Sequence, residues 1–384
     1  MSGLRALRGH EAARRLLARA ALRGELPGSI LLHGPAGIGK QRFGLWLGQL
    51  LLCDRPGENG PCGQCQSCRF ALRLEHPDLQ WFFPLARPKV SGGPDKLASA
   101  LEEARAAELA ARAASGTWIA APGEPVGLFL AQVRTLCRMA ASRPALAHRR
   151  VFLIGQAEYL ASQEASQEAA NALLKILEEP PPAVTLILTA SDPDDLLPTI
   201  RSRLVPVALR PLPDAEVAAF LVEELGIAEE QARKAAALAQ GAIGRALGFL
   251  PSEDGELGPL EAVRQRARAL LVAAIAPQPQ QRYAAALATS PTGARGAFAE
   301  VLDALAAWLR DLASTACGAE ERLVNPDARD FLADLARRLP NAAAACPAAI
   351  QLVGRAAALA HGNVNPQLTL AWLLGALHRT LTGR

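Results

Sequence analysis

The stretch GPAGIGKQ, Gly34 to Gln41, stands between the apolar run SILLH and the helix-like run RFGLWLGQLLL. A glycine-rich turn between a strand and a helix lets successive backbone N–H groups face a phosphate, and a lysine at its end reaches the terminal phosphates. Gly34, Gly37, Gly39 and Lys40 occupy those positions, so the stretch reads as a phosphate loop in an α/β fold. Its last position calls for a Ser or Thr hydroxyl, which helps hold magnesium. Gln41 stands there instead.

The second metal position of such sites is an acid at the end of an apolar strand. The strand that fits is VFLI, Val151 to Ile154, and it runs into Gly155 and Gln156. Glu158 follows, and we read it as a solvated loop carboxylate. With both metal positions gone, ATP hydrolysis is not expected, while static nucleotide binding at Lys40 stays open. The alternative is an active ATPase in which Glu158 has taken over the magnesium.

Outward from the loop, apolar strand-like runs alternate with helical patterns as far as about residue 210: SILLH, DLQWFF, RRVFLIG, VTLILTA and LVPVAL. That alternation predicts a parallel sheet covered by helices, with ligands at the carboxyl ends of its strands. It is interrupted at about 87–125 by KLASALEEARAAELAARAAS between Gly- and Pro-rich flanks, which reads as a solvated helical hairpin inserted in the sheet domain. Beyond Pro211 the strands stop and Gly226 and Gly241 punctuate helices. PSEDGELGPL, Pro251 to Leu260, is a linker, and the rest is helical, broken near PQPQQ, SPTGARG and HGNVNPQ. ASQEASQEA, Ala161 to Ala169, is too short a repeat to imply a repeat fold.

Four of the seven cysteines crowd into LLCDRPGENGPCGQCQSC: Cys53, Cys62, Cys65 and Cys68. Two-residue spacings plus one more thiol across a Pro-Gly loop suit one tetrahedral, structural zinc, and the odd total argues for a reducing, cytoplasmic setting. An iron-sulfur run would continue x3-C-P, and Arg69, Phe70 and Ala71 do not. Cys137, Cys317 and Cys346 read as core residues of apolar helices. The net charge of +4 over 384 residues is too mild to mark a nucleic-acid binder. A stand-alone zinc-containing nucleic-acid protein is disfavoured, because the cysteine loop lacks aromatics and clustered arginines. No run of about 18 apolar residues suggests a membrane span. The Arg-rich opening LRALRGHEAARRLLARAALRG carries Glu11, leads into Glu25 and then straight into the loop strand, so it reads as a first helix and not a transit peptide.

NALLKILEEPPP, Asn171 to Pro182, followed by SDPDDLLPTIRSR, resembles the clamp-loader branch of the AAA+ ATPases, and the cysteine module after the loop helix, with HPD at His76 to Asp78, resembles the bacterial DNA polymerase III clamp loader. The resemblance implies an AAA+ sheet domain at 1–210 with the zinc module at 53–68, a helical lid at 211–250 and a helical collar at 260–384 that assembles into a pentameric ring. HGNVNPQLTLAWLLGAL is similar to the collar's last turn and helix. The family's motor subunits keep Ser or Thr after the lysine and an acidic pair on the second strand, so this chain resembles the ATPase-defective stator instead. Its partners would be gamma/tau motor and delta subunits and, through the ring, the sliding clamp and primer-template DNA. The arginine of the family's Ser-Arg-Cys motif carries over to Arg203, after Ser202 and before Leu204, as a finger into the neighbouring subunit's ATP site. Arg245 lies near the family's second nucleotide-sensing position, offset from it.

Overall fold

The structure, a computed structural model, describes residues 3–91, 93–117, 126–160, 166–252, 254–290, 297–360 and 364–383. The chain divides into two compact units, one of Met1–Ile119, Val126–Glu216 and Ala242–Gly244, the other of Val217–Gly241 and Arg245–Arg384. Three expectations lie partly outside the described residues: the repeat at 161–169, the breaks at 290–296 and 361–367, and the end of the insertion.

The first unit runs α1 (Glu11–Arg23), β1 (Ser29–His33), α2 (Lys40–Leu52), α3 (Gln66–Leu72), β2 (Leu79–Phe82), β3 (Leu85–Ala86), α4 (Pro94–Ser115), β4 (Val126–Gly127), α5 (Leu130–Ala140), β5 (Arg150–Ile154), α6 (Ser166–Glu178), β6 (Val184–Ala190), α7 (Pro198–Arg201) and β7 (Val205–Ala208). As the alternation predicts, the main sheet is parallel, ordered β2-β5-β6-β1-β7. All seven residues of β6 and all five of β5 are buried, because helices cover both faces. The register sets His33 beside Ala190 and Ile154 beside Leu188, so β1, β5 and β6 end on the same side. Gln41, beyond the loop after β1, and Gly155, just past β5, meet there although far apart in sequence.

The inserted helix departs from expectation. α4 is no solvated hairpin: Leu101 is 1% exposed in the sheet's core, and two of its arginines lie on the aromatic strand β2. Arg112 sits 3.8 Å from the Phe83 ring and 4.6 Å from Trp81, and Arg105 4.7 Å from Phe82. Arg105 also donates to the carbonyl of Trp81 at 3.4 Å. β2 is an edge strand whose outer backbone groups need partners or cover, and a helix that brings cation–π contacts supplies both. The charged, weakly apolar sequence hid this, since the long arginine stems bury themselves while looking polar on paper.

The second unit is helical: α9 (Glu229–Ala239), α11 (Pro259–Ile275), α12 (Pro279–Leu287), α13 (Ala297–Ala316), α14 (Arg329–Arg338), α15 (Ala342–Ala360) and α16 (Pro366–Thr382), together with most of α8 (Asp214–Leu225) and α10 (Ile243–Phe249). Its core gathers Leu302, Leu305, Trp308 and Leu309 of α13 with Leu370, Leu373, Leu374 and Leu377 of α16. α15 is long and apolar enough to cross a membrane by length and composition, but Ala342, Cys346, Ala349, Val353 and Ala356 recur on one face in that core, the stripe of a packed helix. Gly226 and Gly241 follow helices with φ of 69° and 77°, the left-handed stop expected of them. Of the three cysteines read as core, only Cys346 is fully buried; Cys137 is half-buried and Cys317 is exposed just beyond α13.

Candidate functional site

The loop after β1 takes the shape its glycines permit. Gly34, Gly37 and Gly39 have φ of 139°, 80° and 95°, and a Cβ at Gly34 would stand 2.3 Å from the Leu209 carbonyl oxygen. The loop is tied from both sides: Gly244 N–H donates to the Gly37 carbonyl at 2.8 Å, and His10 Nε2 bonds the Ile38 carbonyl at 3.0 Å. Lys40 is 8% exposed and donates to the carbonyls of Gly34 at 2.7 Å and Pro35 at 2.9 Å, folding back on its own cradle. Burial pushes its pKa down to about 8, against the raising influence of Glu158.

The two absent metal ligands turn out to be neighbours. The Gln41 side chain lies so close to Gly155 that a Cβ there would be 2.5 Å from its Oε1 and 2.7 Å from its Cδ. The same Oε1 accepts from the Trp81 indole N–H at 3.1 Å. A neutral amide, held by an aromatic side chain, thus fills the space into which an acid at 155 would project. Gln156 turns with φ 52°, its N–H donating to the buried Thr189 hydroxyl at 2.9 Å.

Glu158 is not the solvated carboxylate its loop position suggests. It is half-buried, Oε1 accepts from Ser191 N–H at 3.4 Å, and Oε2 is buried without a hydrogen-bond partner. Burial raises its pKa, with Lys40 and Ser191 opposing the rise. Sequence reasoning missed this burial because Glu158 comes into the field of Lys40 only when β1 and β5 end on the same side of the sheet, which no local pattern encodes.

The four cysteine sulfurs all lie within 4.8 Å of one another and could hold a metal ion. The Cys53–Cys65 and Cys62–Cys68 sulfurs are 3.9 Å and 4.0 Å apart. Bonds of about 2.3 Å to a tetrahedral zinc set sulfurs about 3.8 Å apart, so the set fits such an ion, whereas a disulfide needs about 2.05 Å. Backbone N–H groups aim at the sulfurs: Arg55 and Cys62 at Cys53, Cys65 at Cys62, and Cys68 at Cys65, at 3.3–3.4 Å. Such bonds draw the Cys62 thiol down to about 6, while burial pushes Cys68 well up. Gly60 fixes the module to the sheet domain, since a Cβ there would be 3.1 Å from the Trp46 indole of α2.

Beside the module, HPD anchors β2. His76 Nδ1 accepts from Asp78 N–H at 3.0 Å. The fully buried Asp78 carboxylate accepts from the N–H groups of Ala145, Leu146 and Ala147 at 2.7–2.9 Å and from Arg150 at 3.3 Å. Burial works to raise the Asp78 pKa, and these donors outweigh it, so the net shift is downward. Arg203, just past α7, is partly exposed; it donates to the Thr199 carbonyl at 2.7 Å and pairs with Glu178 at the end of α6. Arg245, in the second unit, is depressed in pKa by burial, with Glu300 and Asp303 of α13 as the opposing charges.

A family model described as DNA polymerase III, delta subunit, matches residues 9–213, and one described as its C terminal matches residues 264–378. A Pseudomonas aeruginosa protein called DNA polymerase III subunit delta' is 35% identical over 185 residues, 48% of this chain and 43% of that one. DNA polymerase III subunit gamma/tau of Mycobacterium tuberculosis is 28% identical over 212 residues, 54% of this chain and 29% of that one. The chain therefore spans less than half the length of these curated relatives. Among solved structures, a DNA polymerase III gamma subunit-related protein from Thermotoga maritima aligns over 95% of this chain and 98% of that one, at 17% identity and a TM-score of 0.39.

Proposed function

The chain belongs to the DNA polymerase III delta subunit family, and from that premise we propose that it is the stator of the clamp loader, a subunit that hydrolyses no ATP and offers Arg203 to a neighbouring motor subunit's ATP. The observation that carries this reading is the Gln41 amide against Gly155, held by Trp81. Magnesium-dependent phosphoryl transfer at a phosphate loop uses a Ser or Thr hydroxyl and a strand-end carboxylate at these two places, and an amide engaged by Trp81 and packed onto a glycine supplies neither. Lys40 is meanwhile occupied by the loop's own carbonyls, so any nucleotide at Gly34, Gly37, Gly39 and Lys40 would be held statically.

Arg203 fits a finger because it is partly exposed, and its hold on Glu178 is of the weak, surface kind that a phosphate can outcompete. A finger in trans is worth about 10³ to 10⁵ in rate to the site that receives it. The cluster of Cys53, Cys62, Cys65 and Cys68 holds structural zinc on this reading. Its partners are gamma/tau and delta subunits in a pentameric ring that loads the sliding clamp onto primed DNA in the cytoplasm. The division into sheet domain, lid and collar follows the same reading.

The second reading, an active ATPase, draws on Glu158, whose buried, unpartnered oxygen lies in the field of Lys40. Burial favours its neutral form, which is a poor magnesium ligand. ATP turnover of the isolated chain separates the two. The stator gives none above background with magnesium present. Turnover that disappears in Lys40→Ala would establish the active enzyme.

A further inference from the structure

The face of the sheet domain where the inserted helix meets α5 and α6 carries an open groove of about 1110 Å³. Its apolar floor includes Leu97 of α4, Leu130 of α5 and Ile176 of α6. Around it stand Arg87, Arg134, Arg138 and Lys175, against the carboxylates of Asp95 and Glu179. Arg134 and Arg138 are exposed one turn apart on α5, a like-charge spacing that is unfavourable in an isolated helix. Among the described residues, neither Arg134 nor Lys175 has an ion-pair partner, and Arg138 donates only to Thr135 at 3.0 Å.

We infer that this groove is a docking site for an acidic amphipathic helix of a partner protein, with its apolar stripe on Leu97, Leu130 and Ile176 and its carboxylates on Arg134, Arg138 and Lys175. The lining decides between ligand classes. Single-stranded nucleic acid binds grooves by stacking bases on aromatic rings as well as by phosphate contacts, and no aromatic side chain lines this one. An aliphatic floor with cations along the wall suits helix-in-groove recognition, in which apolar residues at i, i+3, i+4 and i+7 supply the contact and charge sets the orientation. α5, which supplies one wall, is 11 residues long, about three helical turns, and a probe helix is matched to that wall. The site is independent of the nucleotide loop and stands whether or not the chain hydrolyses ATP.

The test titrates the full chain with a fluorescein-labelled amphipathic peptide of Leu and Glu, about three turns long, read by anisotropy. Saturable binding should weaken about tenfold or more in the Arg134→Glu/Lys175→Glu double variant and fall with added salt. Arg210→Glu, an exposed change away from the groove, should leave it unaltered. All three side chains are exposed, so folding is preserved, and circular dichroism checks it. Equal affinity in the double variant, or no saturation at all, would overturn the proposal. So would an oligothymidylate that binds as tightly and displaces the peptide, which would assign the cations to phosphate.

Discussion

At the scale of single residues, the decisive pair is Gln41 and Gly155. Gly155→Asp alone drives a side chain into the Gln41 amide and is expected to cost about 1–3 kcal/mol. Gln41→Thr alone leaves the Trp81 N–H without its acceptor, at about 1–3 kcal/mol. Together they should cost less than the sum by about 0.5–3 kcal/mol, because each relieves what the other creates. Urea unfolding of the three variants checks this, and strictly additive losses would contradict the contact. Asp78 makes a second residue-scale prediction. Its folded pKa lies below the unfolded value of about 3.9, so its stabilisation is complete above that pH and is lost as pH falls through the lowered folded value. Asp78→Asn leaves Arg150 buried and unpaired, costing about 3–5 kcal/mol at neutral pH, and it should flatten the acid limb of the stability curve. An unchanged limb would show that other carboxylates dominate it. Gln41 and Gly155 were each legible in the sequence as departures from a pattern. Their contact was not, because it needs β1 and β5 brought to one end of the sheet, with Trp81 arriving from a third strand.

At the scale of elements, the strands of the sheet were readable because buried parallel strands are continuous apolar runs, and VTLILTA is buried throughout. The cysteine module was readable because ligand spacing is local. What stayed hidden was α4, whose Arg105 and Arg112 look like solvent residues and lie instead on Trp81, Phe82 and Phe83. Arg112→Ala should therefore destabilise the sheet domain by about 1–2 kcal/mol, whereas Arg112→Lys should recover part of the loss through its cation and stem. Thermal unfolding distinguishes this from a solvated helix, in which neither change would register. For the cysteine module the expectation is one zinc per chain by elemental analysis. Stripping it with a chelator should open Cys53, Cys62, Cys65 and Cys68 to thiol reagents while the helical unit keeps its structure. A metal-free chain with the same four thiols protected would contradict a metal-held module.

At the scale of the whole molecule, the second unit exposes large apolar side chains that the proposed ring would cover. Tyr283 and Leu287 of α12 are 60% and 68% exposed, and Leu368 and Trp372 of α16 are 70% and 43% exposed. Gln367 bridges the two helices through the carbonyls of Leu287 and Thr289. Large exposed apolar side chains on neighbouring helices are what an interaction surface presents, and the proposed ring needs one. Leu368→Glu/Trp372→Glu should leave the isolated chain folded and abolish its co-elution with gamma/tau and delta subunits; unaltered co-elution would move the ring contact elsewhere. The stator account meets its most direct test in the DNA-stimulated ATPase of a reconstituted loader carrying Arg203→Ala. The account predicts an intact complex whose turnover falls by an order of magnitude or more. Undiminished turnover in that intact complex would contradict it.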